Sequence, residues 1–153
     1  MPKLELRIPP LVVAFVFAIA MSVLALLLPA ASFPMPFRYP IALCIAIAGL
    51  AIAIAGVLAF RHHQTTVNPM TPSASSSVVT TGIYRYTRNP MYLGFLLVLL
   101  AFAVFLSNVM SALFIPAFVI YMNRFQITAE EGALLAKFGT PFAQYMSKTR
   151  RWI

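Results

Sequence analysis

The chain has 153 residues, of which 61% are hydrophobic and only 9% charged, with a formal net charge of +8. A soluble domain carries roughly 25% charged residues, so this composition excludes an ordinary water-soluble globule and points to an all-α integral membrane protein. Nucleic acid is a poor partner for the excess positive charge, because Lys and Arg fall between long neutral runs, as membrane orientation and anionic lipids demand.

The first neutral run, residues 11–30, follows Lys3 and Arg7. It is about the 20 residues needed to cross a hydrocarbon core of roughly 30 Å. Its basic start suits a signal peptide, but the apolar stretch is too long and lacks a clean small-residue cleavage pattern, so it reads as a retained helix. Residues 39–60 form a second uncharged run of similar length. Within it, Cys44 reads as a small packing residue. Next come His62 and His63, whose adjacency on a helix does not let them share a ligand, and no metal-ligand spacing occurs elsewhere.

Residues 61–90 are polar, and their Pro-, Ser- and Thr-rich middle predicts irregular chain. The third neutral run, residues 89–123, would span about 52 Å as one helix, too long for a single crossing. Ser107-Asn108 near its middle suits a tight turn, so two short helices over about 90–106 and 109–125 are expected. Four spans place Lys3, Arg7, Arg61, Arg85, Arg88, Arg124, Lys137, Lys148, Arg150 and Arg151 on one side, and only Arg38 on the other. The Arg/Lys-rich side, with both termini, is therefore expected to be cytoplasmic, in a bacterial inner membrane.

The tail over residues 124–153 repeats Leu134, Leu135, Phe138, Phe142 and Tyr145 at helical spacing, with an interruption at Gly139-Thr140-Pro141. This predicts an amphipathic helix on the membrane surface or folded over the helix ends. Glu130 and Glu131 stand side by side here, and the only other acid is Glu5. Thr128 and Glu131 match a capping box, and Glu130 would gain from the first-turn dipole. A single domain over residues 1–153 accommodates all these elements.

The densest polar cluster is TGIYRYTRNPMYLG at residues 81–94. Arg85, Arg88 and the tyrosines there could simply mark a membrane boundary. In combination, Thr81-Gly82-Ile83-Tyr84, Arg88-Asn89-Pro90-Met91-Tyr92-Leu93-Gly94, Glu130-Glu131, Phe138-Gly139 and Tyr145 resemble the isoprenylcysteine carboxyl methyltransferase and phospholipid methyltransferase superfamily. Thr65-Thr66-Val67-Asn68-Pro69 is similar to its bacterial branch, and the resemblance covers roughly residues 64–146.

The resemblance implies S-adenosylmethionine as cofactor, with contacts at Val78, Val79, Tyr84, Asn89, Pro90, Met91, Tyr92 and one of Glu130 and Glu131, Glu130 first. The chemistry agrees: tyrosine faces stabilise a sulfonium, and a carboxylate suits an ammonium or ribose hydroxyls. Asn89, Tyr92 and Arg124 are the candidate catalytic residues. Asn89 stands where the isoprenylcysteine branch usually has histidine, and Gln126 where that branch has a substrate-contacting arginine, with Arg124 two positions earlier. Asn cannot shuttle a proton, so the expected acceptor is a lipophilic molecule or lipid bearing a carboxylate, thiolate or amine. Two other readings are a catalytically inactive membrane subunit of the same fold and a sterol-reductase-like enzyme using NADPH.

Overall fold

The computed structural model describes residues 6–63, 70–71 and 75–153. The expected motif at residues 65–69 lies outside these residues, as does Lys3. Among the described residues the regular structure is helical throughout, apart from an isolated bridge between Ser32 and Asn108. Helix α1 runs Pro10–Leu27, α2 Arg38–His62, α3 Pro90–Leu106, α4 Val109–Ala112, α5 Phe114–Tyr121, α6 Thr128–Phe138 and α7 Thr140–Lys148. Helices α1 and α2 are long and apolar enough to cross a membrane, whereas α3, with 17 residues, is shorter. At 1.5 Å per residue α3 reaches about 26 Å, close to the roughly 30 Å hydrocarbon thickness.

Proline and local turn chemistry set the boundaries. Pro10 and Pro90 open α1 and α3 at positions where a missing N–H costs nothing. The turn expected at Ser107-Asn108 is present: Ser107 takes a left-handed conformation (φ 49°), and the Asn108 side chain accepts from the Ser111 N–H at 3.0 Å. Pro116 removes the N–H that would bond the Ala112 carbonyl, which accounts for the break at Leu113 between α4 and α5. Gly139 (φ 58°) ends α6 as the sequence predicts, and Pro141 helps restart the chain as α7.

Glycines bring α2 and α3 together. A Cβ on Gly94 would lie 2.6 Å from both the Gly49 carbonyl oxygen and the Ala53 Cβ. Lipid offers no hydrophobic drive between helices, so such backbone proximity is what gives the pair its dispersion contacts. Helix α1 packs against the other side of the hairpin, where Phe17 meets Phe114, Phe118 and Tyr121 edge-on. Met21, Phe118, Met122 and Ile127 are fully buried at this seam.

The segment after α5 departs from the sequence reading. Residues 109–138 form one apolar helical rod of 30 residues rather than a span followed by a separately capped helix. A π-helical stretch, Met122–Ile127, joins α5 to α6. Thr128 is inside this rod, and its hydroxyl donates to the Asn123 carbonyl at 2.7 Å. The capping box with Glu131 is therefore absent, because no free helix start exists there to cap. At about 45 Å the rod outruns the bilayer core, so one end of it projects past the apolar layer.

Candidate active site at one end of the bundle

Chain segments remote in sequence meet at the end of the bundle where α3 begins. The Leu6 N–H donates to the Phe125 carbonyl, the Arg88 N–H to the Arg150 carbonyl, and the Trp152 indole N–H to Asn123 Oδ1. This end carries Glu130, Glu131 and the tyrosines Tyr84, Tyr92 and Tyr145. Gly82 (φ 59°) begins the short 3-10 turn Gly82–Arg85, and a Cβ there would meet nothing. Its glycine thus serves backbone conformation rather than tight packing.

The two adjacent glutamates have different partners. Glu130 Oε1 accepts from the Tyr92 hydroxyl and, at 3.1 Å, from the Gln126 amide. Glu131 accepts from Arg88 at 2.7 Å and from Arg151 at 2.5 Å. The guanidinium groups of Arg88 and Arg151 are thereby committed to Glu131. Arg88 also donates to the carbonyls of Met146 and Thr149. Successive residues on a helix are rotated by about 100°, which sends neighbouring carboxylates into separate environments.

The π stretch sets this geometry. It buries Met122, Gln126 and Ile127 together and directs Gln126 at Glu130, one turn along the same rod. An extra residue per turn shifts the faces of the following helix, a device common at functional sites.

Several expected site residues converge and others do not. Tyr92, fourth in sequence from the Arg88 that holds Glu131, reaches Glu130 directly. Tyr84 is buried, stacks edge-on with Phe60 at 5.2 Å, and accepts at its carbonyl from the Tyr145 hydroxyl at 2.8 Å. Burial first, then the Tyr145 hydroxyl and the Glu130 carboxylate, pushes the Tyr84 hydroxyl well above its ordinary range. Burial likewise raises Tyr145, with Arg88 opposing it. Val79 is buried and Val78 half-buried on the approach to this turn. Pro90 and Met91 instead face α2, their Cγ atoms lying 3.0 and 3.1 Å from where a Cβ on Gly56 would stand.

Asn89 is held by the tail. Its side-chain amide donates to the Arg151 carbonyl at 3.0 Å, where the Thr87 hydroxyl also donates at 3.0 Å. Arg124 is exposed, with its guanidinium 5.8 Å from the Phe125 ring centroid, and it is Gln126 that joins the Glu130 cluster. Sequence reasoning missed Arg88, Thr87, Arg151 and Trp152 as builders of this end. The signal available was a surplus of cations beside a single acidic pair. Groups of three or more His, Cys, Asp or Glu able to hold a metal are absent among the described residues.

No solved structure matches the chain. An uncharacterized protein of Haemophilus influenzae is 43% identical over 63 residues, which is 41% of this chain and 100% of that protein. The protein-S-isoprenylcysteine O-methyltransferase of Schizosaccharomyces pombe is 37% identical over 71 residues, 46% of this chain and 30% of the yeast protein. The profile of the phospholipid methyltransferase family matches residues 37–140, well over half of the sequence and all the helices from α2 to α6. The chain, an apolar helical bundle with its polar chemistry gathered at one end, belongs to the phospholipid methyltransferase family.

Proposed function

We propose that this protein transfers a methyl group from S-adenosylmethionine to a lipophilic acceptor at the cytoplasmic face of a bacterial inner membrane. The observation that carries the reading is the Glu130 carboxylate, held by Tyr92 and Gln126 while Arg88 and Arg151 go to Glu131. A carboxylate whose partners are all neutral donors has no counter-ion of its own, so a cationic ligand can supply one. The donor set fits the cofactor: Glu130 suits its ammonium or ribose hydroxyls, and the faces of Tyr84 and Tyr92 suit its sulfonium. Val78, Val79 and Asn89 belong to the proposed binding segment, with Pro90 and Met91 backing it against α2, and Arg124 is the proposed contact for the acceptor. When bound, the cofactor supplies a methyl group already activated by positive sulfur.

The side chains then have to position the reactants and keep water out, which alone supplies much of the acceleration. Asn89 offers no proton acceptor near neutrality, and its amide is engaged with the Arg151 carbonyl. The acceptor is therefore one that arrives ionised or as an amine: a carboxylate, a thiolate or a nitrogen nucleophile. It reaches the site laterally from lipid, since the surrounding helices expose apolar faces.

Membranes containing the protein, incubated with methyl-labelled S-adenosylmethionine, should place label in the organic-extractable fraction, and Tyr92→Phe should lower that incorporation at least tenfold. Label confined to water-soluble products or nucleic acid would overturn the acceptor class. Binding of NADPH in place of S-adenosylmethionine by the purified protein would overturn the cofactor.

A further inference from the structure

A feature that methyl transfer does not use runs along α1 and α2, from Leu11 near the start of α1 to Tyr39 at the end of the bundle remote from Glu130. Helix α3 packs against both α1 and α2, and an open groove of about 640 Å³ lies between those two. Its walls and floor include Leu11, Ala18, Ala46, Leu50, Phe95 and Phe102, and its lining is apolar almost throughout. Ligand sites commonly measure about 300–1,000 Å³, so the groove is large enough for a hydrocarbon chain.

The groove ends at a cation. Tyr39 lines it, and Arg38 lies against Tyr39, donating to the tyrosine hydroxyl at 2.7 Å with its guanidinium 4.7 Å from the ring centroid. Arg38 is the only Lys or Arg between residues 8 and 60, and the two described carboxylates stand at the opposite end of the bundle. Stacking on Tyr39 fixes the planar guanidinium and leaves other N–H donors free to meet an oxyanion.

The dimensions match one leaflet. From Tyr39 to Leu50 helix α2 rises about 16 Å, close to half of a roughly 30 Å hydrocarbon core. A headgroup at Arg38 therefore puts an acyl chain along the groove, ending near mid-bilayer beside Phe95.

We propose that this groove binds an anionic phospholipid of the leaflet opposite the Glu130 end, with its phosphate on Arg38 and Tyr39 and one acyl chain between α1 and α2. The site is independent of the methyl-transfer reading, because it shares no residue with the Glu130 cluster. Its apolar body alone would accept any lipid chain; Arg38 confers the preference for an anionic headgroup.

Cys44, the single cysteine, lies about 100° round α2 from the groove-lining Leu43, so it is replaced (Cys44→Ser) and a probe cysteine is placed on the groove wall (Leu50→Cys). The protein labelled there with bimane would be reconstituted in phosphatidylcholine vesicles containing an equal fraction of either phosphatidylglycerol or phosphatidylcholine with brominated chains. Quenching should be at least twofold greater with brominated phosphatidylglycerol. Arg38→Gln should remove that difference while leaving quenching by phosphatidylcholine unchanged. Leu43→Trp, at a position 61% exposed, should narrow the groove and reduce the phosphatidylglycerol excess without unfolding the bundle. Inorganic phosphate should leave the signal unchanged, since the chain supplies most of the binding. Equal quenching by the two lipids, an undiminished preference in Arg38→Gln, or suppression of the preference by free phosphate would overturn the proposal. So would energy transfer between labelled copies that Leu43→Trp abolishes, because a second copy would then fill the groove.

Discussion

The two ends of this bundle are both closed by polar groups, but by different kinds. At the remote end, Asn108 donates to the Leu28 carbonyl at 2.9 Å and to Ser32 at 3.0 Å, and the Ser111 hydroxyl donates to the Met21 carbonyl at 2.8 Å. Every participant there is neutral, and each hydrogen bond ties Asn108 or Ser111 to α1 or to the segment that follows it. At the other end, charged groups meet: Arg88, Arg151 and Glu131 form a paired network, while Glu130 stays with a hydroxyl and an amide. A neutral cluster whose hydrogen bonds are all internal stabilises and does no chemistry. A carboxylate left with only neutral donors costs desolvation that packing alone does not require, which makes it the candidate for ligand recognition.

The largest expected effect falls on the paired network. Glu131→Ala leaves the Arg88 guanidinium, with only 12% of its side-chain surface exposed, without its carboxylate. Stripping one partner from a buried pair costs about 3 kcal/mol, far more than loss of a helix cap. Thermal melting of the detergent-solubilised variant checks this, and a loss near 1 kcal/mol would mean that the network contributes no more than a cap.

Asn108→Ala comes next. It removes two donors and the acceptor for Ser111, at a residue only 1% exposed. With hydrogen bonds in membranes averaging about 0.6 kcal/mol and buried unsatisfied groups costing more, about 2 kcal/mol is expected. Cofactor affinity should not change, which separates the two ends cleanly. An equal loss of affinity would show that the ends are coupled.

Glu130→Gln should reverse the pattern. The amide keeps a similar shape and can still accept from Tyr92, so melting should shift little. S-adenosylmethionine affinity should fall at least tenfold, about 1.4 kcal/mol, in calorimetric titration. A silent Glu130→Gln with an intact fold would remove the cofactor assignment from this carboxylate.

The smallest effect is Ser111→Ala, expected near 0.6 kcal/mol because a single neutral hydrogen bond is lost in an apolar setting. Tyr84 and Tyr145 add a pH signature at the other end. Both are raised above the usual tyrosine value of about 10, so their contribution is intact below that pH and declines as pH rises through the unfolded value toward the folded one. Stability measured between neutrality and pH 9 should therefore be flat with respect to these groups.

Much of the helical layout could be read from residue order. Pro10, Pro90, Ser107-Asn108 and Gly139-Thr140-Pro141 act through local backbone geometry, which a helix cannot override cheaply, and each boundary stands where that chemistry places it. Thr128 and Glu131 show the opposite case. Their spacing is that of a capping box, but a cap needs a helix end, and the preceding residues continue as π helix. A π turn has no reliable local signature, because the packing of Met122, Gln126 and Ile127 against the bundle sustains it.

The sequence by itself determined that the chain is a bundle of apolar helices with its cations and acids concentrated at one end. Those properties follow from the cost of charge in hydrocarbon and from proline and glycine stereochemistry, both local. Only the tertiary structure decided which of two adjacent glutamates faces Tyr92 and which meets the arginines. The two carboxylates differ by one residue and about 100° around the same helix, so their roles depend on how the π turn rotates that helix against α3 and on where residues 149–152 return across it.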